Sequence, residues 1–131
     1  MPERHLSKAD ARLLYSIAYA QRHYGNRSLE GIFAAEDGMN RSAPTGEELR
    51  IGLSALAGAG LVSCNDATFS LTPEGERLKG EADARGGTIF DRIDRLASLL
   101  HSHFGAVEAA PVELSDAAIR QSYDAYYSRS S

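Results

Sequence analysis

Glu48-Leu49-Arg50-Ile51-Gly52-Leu53-Ser54-Ala55-Leu56 runs through Gly60-Leu61-Val62 to Phe69-Ser70-Leu71-Thr72-Pro73-Glu74-Gly75. Two periodicities meet in this stretch. Leu49, Leu53 and Leu56 recur at the spacing of one helical face, behind the capping-box pattern Thr45-Gly46-Glu47-Glu48 and ahead of Gly58 and Gly60, which stop the helix. The runs Leu61-Val62-Ser63-Cys64 and Thr68-Phe69-Ser70-Leu71 are then β-prone and flank Asn65-Asp66-Ala67, as a hairpin requires. Thr72-Pro73-Glu74-Gly75 opens the next helix, with Thr as cap, Pro at the first helical position and an acid in the first turn.

Outward from this stretch, Ser7 and Asp10 resemble a capping box, and Leu13, Leu14, Ile17, Ala18 and Tyr24 follow at helical spacing until Gly25-Asn26. Leu29, Ile32 and Phe33 share one face of a short second helix over 28–36, and 39–44 reads as a turn. The helix opened by Thr72 runs to Arg85 and breaks at Gly86-Gly87. A fifth helix starts at Thr88, with Asp91 three residues on, and carries Ile89, Ile93, Leu96, Leu100 and His103 at alternating spacings of four and three. Phe90, Ala97 and Phe104 form a second stripe beside it, so this helix has to bury itself against something. Residues 105–113 read as a linker. Beyond it Ser115 caps a short tail helix bearing Ile119, Tyr123, Tyr126 and Tyr127. The expectation is one domain: a mainly α core over 1–85 with a β-hairpin wing, an added helix over 86–105, and a linker and tyrosine-rich tail over 106–131.

A chain of 131 residues, 43% hydrophobic and 24% charged, suits one compact core. Its apolar runs end well short of the roughly 18 residues that cross a bilayer, and Met1-Pro2-Glu3-Arg4-His5 lacks an apolar signal region. A cytoplasmic protein without membrane attachment is expected. Cys64 is the sole cysteine and excludes an internal disulfide or a zinc finger; it reads as a small apolar filler. With 14 Lys and Arg against 18 Asp and Glu, the net charge is -4, on the acidic side for a nucleic-acid binder.

The third helix, the Gly60-Leu61-Val62 step and Leu71-Thr72-Pro73-Glu74-Gly75 together resemble the core of winged helix-turn-helix proteins of the MarR and PadR type. The resemblance extends over about residues 7 to 85, with motif support from about 48 to 78. It implies a DNA-binding transcriptional regulator, with the third helix in the major groove, the wing on the backbone and a homodimer built by helices outside the core. Arg50, Ser54 and Thr45 of the third helix, Arg41 of the preceding turn and Thr68 of the wing are then the expected contacts with double-stranded DNA. Ile89, Ile93, Leu96 and Leu100 are the expected dimer seam, unless that stripe packs on the first helix.

The residues also support a second reading. At 100° per residue the outer face of the third helix holds Glu47, Ile51, Ser54, Ala55 and Gly58, with Arg50 at its margin, a nearly neutral and partly apolar surface. No Lys or Arg occurs between Arg50 and Arg77, so the wing tip carries no positive charge. Ile51 and Ala55 then suit a partner protein, or the chain's own tail.

Enzymatic chemistry finds no support, and no cofactor or metal is expected. His101 and His103 stand two apart on a helix, whereas a helical metal pair needs three or four. Cys64 has no histidine near it in sequence, and no Gly-rich phosphate loop occurs. Asp91 and Asp94 alternate with Arg92 and Arg95, which suggests exposed ion pairs such as Asp91 with Arg95.

Overall fold

A computed structural model describes residues 3–24, 31–33, 35, 46–65, 68–108, 110, 112 and 116–130. The order is β1 (Glu3–Arg4), α1 (Lys8–Tyr19) continuing as a π-helical turn (Ala20–Tyr24), α2 (described at 31–33 and 35), α3 (Gly46–Gly58), β2 (Val62–Asn65), β3 (Thr68–Leu71), α4 (Pro73–Asp83), α5 (Ile89–His103), β4 (Val107–Glu108) and α6 (Asp116–Ser130). The protein is mainly helical, with two small antiparallel sheets, β1 with β4 and β2 with β3.

Local signals decide most element ends. The backbone N–H of Ser7 donates to Asp10 Oδ2 at 2.7 Å, which starts α1. At the head of α5 the capping box is reciprocal: the Thr88 N–H donates to Asp91 Oδ2 and the Asp91 N–H donates to Thr88 Oγ1. The backbone hydrogen bond to Thr88, then its hydroxyl, holds the Asp91 carboxyl below its ordinary pKa. α4 stops at Asp83, two residues before the expected Arg85.

The segment from α3 to α4 is one joint. Gly60 has φ 74°, and its N–H donates to the Ala57 carbonyl while Leu61 N–H donates to the Leu56 carbonyl, a Schellman end. Leu61 is fully buried and sits outside β2, which begins at Val62. The hairpin pairs Val62 with Leu71 and Asn65 with Thr68, returning the chain to the same spot. There Thr72 Oγ1 donates to the Gly60 carbonyl at 2.6 Å and accepts from Gly75 N–H at 3.1 Å. A Cβ on Gly75 would overlap the Leu61 carbonyl oxygen, so glycine is required by close approach. The glycine stop and the Thr-Pro-Glu-Gly cap therefore touch.

One core gathers Leu13, Leu14 and Ile17 of α1, Ile32 and Phe33 of α2, Leu49, Leu53 and Leu56 of α3, Phe69 of β3, Leu78 of α4 and Ile119 of α6. α5 belongs to it. Ile93, Leu96 and Leu100 are buried within the chain, and α5 packs on α1 and α4. This corrects the expected dimer seam: the stripe is buried within the chain, and of its four residues only Ile89 stays half-buried. Phe90, on the neighbouring stripe, is 57% exposed.

Three further expectations are corrected. Residues 107–108 of the expected linker form β4, whose register pairs Glu3 with Glu108 and Arg4 with Val107. Two-residue strands carry no readable alternation. Cys64 is exposed on the hairpin, although it pairs directly with the buried Phe69, so it is not the apolar filler expected. Arg95 does not pair with Asp91; its guanidinium donates to the carbonyls of Ala82, at 2.8 Å, and Gly86, where it caps the end of α4. No helix among the described residues is long and apolar enough to cross a membrane.

Candidate functional site

The outer face of α3 is where the sequence places any macromolecular contact, and its two halves differ. In the C-terminal half the Ser54 carbonyl accepts a hydrogen bond from the Ala110 N–H at 3.0 Å. At Gly58 a Cβ would overlap the Glu108 carbonyl oxygen, so backbone lies directly against the helix. The chain running out of β4 therefore crosses this half, and α6 also packs on α3. Ala55 is only 2% exposed, which removes it from the expected apolar surface strip. Its position 80° from Glu47 puts it at the edge of that face, and it joins the hydrophobic core.

The N-terminal half is open. Glu47 and Glu48 are exposed in the first turn, Ile51 is 47% exposed and Arg50 is half-buried beside them. Of the expected DNA contacts, Ser54 is half-buried beneath the crossing segment and Thr68 is exposed at the start of β3. Arg41 and Thr45 lie outside the described residues, as do the hairpin-tip residues 66 and 67. On the exposed side of the hairpin the Ser63 and Ser70 hydroxyls lie 3.0 Å apart. α6 lies over α2 with the Tyr123 ring edge-on to Phe33 at 5.5 Å, so this tail tyrosine is used within the chain.

The three histidines with described side chains, His5, His101 and His103, do not converge. The His5 and His101 rings stand 5.9 Å apart, while His103 faces Arg77 and Phe104. Among the described residues no group of three or more His, Cys, Asp or Glu side chains is placed to hold a metal ion.

A polar cluster that the sequence reading did not single out joins α1, α4 and α5. Tyr15 donates its phenol proton to Asp83 Oδ1 at 2.6 Å, Lys79 Nζ bonds Asp83 Oδ2 at 2.8 Å, and Arg92 approaches Oδ1 at 3.5 Å. The Lys79 ammonium also lies 5.2 Å from the centre of the Tyr15 ring. Burial alone would raise the Asp83 carboxyl. Hydrogen bonds from Lys79 and Tyr15, with the charges of Lys79 and Arg92, outweigh it and hold the group below its usual range. Burial, then the hydrogen bond to Asp83 and its charge, pushes the Tyr15 phenol well above its ordinary value. The only sequence trace of the cluster is Lys79 four residues before Asp83 on one helix.

The chain matches no protein-family model, and neither a curated protein nor a solved structure matches it.

Proposed function

We propose that this chain is a winged-helix module that binds another protein through the N-terminal half of α3. The observation that carries this reading is the backbone laid across Ser54 and Gly58. The B-DNA major groove, about 12 Å wide, admits a bare α-helix, whereas a helix with a second chain segment on its outer face is too thick to enter. The part of α3 that stays open presents Glu47 and Glu48 where phosphates would lie, beside the exposed Ile51. Two acids around one aliphatic side chain fit a partner segment with an apolar residue flanked by Lys or Arg.

Two measurements test it. In fluorescence anisotropy with mixed-sequence duplex DNA, no salt-dependent binding is expected even at low ionic strength; steep salt-dependent binding that Arg50→Ala weakens would overturn the reading. Conversely, a protein captured by the native chain should be lost with Ile51→Asp and released by added salt.

A second reading is favoured by how the cover is anchored. A two-residue strand pair and the Ala110 to Ser54 hydrogen bond hold it. In that reading the module is a DNA-binding transcriptional regulator whose groove contacts, Arg41, Thr45, Arg50, Ser54 and Thr68, become available when Glu108 and Ala110 lift away. Duplex binding that appears only after the cover is displaced, as in a Gly58→Leu chain, distinguishes it.

A further inference from the structure

A cavity of about 200 Å³ lies between α1, the π-helical turn, α4 and α5. Its charged lining is Arg22, Lys79 and Arg92 against the single carboxylate of Asp83. Three positive charges against one negative leave a surplus of two, in a chain whose net charge is -4. Lone basic side chains on a surface are ordinary, but cations gathered around a concavity, with part of their hydrogen-bonding capacity unspent, are arranged as an anion site is.

The hydrogen bonds show what is unspent. Both oxygens of Asp83 are engaged, Oδ1 by Tyr15 and Arg92 and Oδ2 by Lys79, so the carboxylate orients the two cations without neutralising all three. Lys79 keeps donors beyond the one given to Asp83. Arg92 directs Nε to the Gly87 carbonyl at 3.2 Å and one terminal nitrogen toward Asp83, leaving the other side of its fork. Arg22 is exposed and makes no ion pair with another described residue. It stands on the π-helical turn, an irregularity frequent at functional sites, and the turn is held in register by Gln21, whose Oε1 accepts from Leu71 N–H at 3.1 Å. Half-buried Ala18 and Ile89 supply an apolar wall.

We propose that this cavity binds a small organic dianion, a phosphate monoester or a dicarboxylate, with its charged groups on Arg22, Lys79 and Arg92 and its body against Ala18 and Ile89. The volume is below the roughly 300–1,000 Å³ of drug-sized sites, which restricts the ligand to a compact molecule. Charge-assisted hydrogen bonds from Arg and Lys supply the recognition. No residue of α3 lines the cavity, so the proposal does not depend on what the outer face of α3 binds.

The full chain titrated by calorimetry with phenyl phosphate, phthalate and benzyl alcohol tests this. One-site binding of at least one dianion is expected, with a raised Tm, weakening as NaCl is added, and amide shifts at Ala18 and Ile89. Phenyl phosphate alone would identify the phosphate monoester, phthalate alone the dicarboxylate. Arg22→Gln, at an exposed position, should keep the native circular dichroism and weaken binding about tenfold, as the loss of one charge-assisted hydrogen bond does; Arg92→Gln should weaken it similarly. Failure of both dianions to bind, equal binding of benzyl alcohol, or unchanged affinity in both variants would overturn the proposal.

Discussion

The phenol of Tyr15, in the middle of α1, donates to the carboxylate of Asp83, the last residue of α4, across 2.6 Å. This bond joins residues 68 apart in sequence. Because the acceptor is charged and the donor buried, Tyr15→Phe is expected to cost about 1.5–3 kcal/mol, read from urea unfolding midpoints. A midpoint equal to the native one would mean that Lys79 and Arg92 suffice to hold Asp83.

The same carboxylate sets an acid limit on stability. Its pKa is lower folded than unfolded, so its contribution is fully present above the ordinary carboxylate value of about 4 and is lost as pH falls through the depressed folded value. Thermal melts should therefore show Tm falling below about pH 4, and Asp83→Asn should flatten that fall. At the alkaline end Tyr15 acts in the opposite sense. Its raised pKa keeps stability intact below about pH 10, beyond which the unfolded phenol ionises first.

Leu96 is fully buried on α5, which packs on α1 and α4. Leu96→Ala should destabilise the chain by about 2–5 kcal/mol, and Leu96→Glu should unfold it rather than convert a dimer to a monomer. Circular dichroism with light scattering separates these outcomes: a folded Leu96→Glu monomer would return this stripe to the role of a dimer seam.

Thr72 caps α4 and ties it to Gly60 with one hydroxyl. Thr72→Ala loses both bonds and should cost about 1–2 kcal/mol, whereas Thr72→Ser should restore most of it. Chemical denaturation of the pair provides the comparison. Equal stability of the two variants would assign the effect to packing of the methyl group.

At Gly58 any side chain meets the Glu108 carbonyl. Gly58→Ala should gain about 1 kcal/mol of helix propensity yet lose about 1–3 kcal/mol through displaced backbone. Its signature is faster hydrogen exchange at the Ala110 amide, with protection of the α3 core amides retained. Unchanged exchange at Ala110 would show that the segment does not press on α3.

The sequence by itself determined the elements whose ends are chemical. Ser7 with Asp10, Thr72 with Pro73, Thr88 with Asp91 and the glycine stop at Gly60 act within one helical turn, and the 3.6-residue and two-residue periods act within one element, so none needs tertiary information. Only the tertiary structure decided what each element faces. The apolar stripe of α5 required burial, but a stripe that suits a second copy suits the chain's own helices equally, and α5 packs on α1 and α4. β1 and β4 are too short to show a pattern, and only their pairing brings the chain beyond α5 across Ser54 and Gly58. Helical-wheel angles put Ala55 on the outer face, yet packing takes it into the hydrophobic core. The Tyr15, Lys79, Asp83 and Arg92 cluster is contributed by three helices. Side chains of that kind are ordinary surface residues until folding brings α1, α4 and α5 together and excludes part of the water around them.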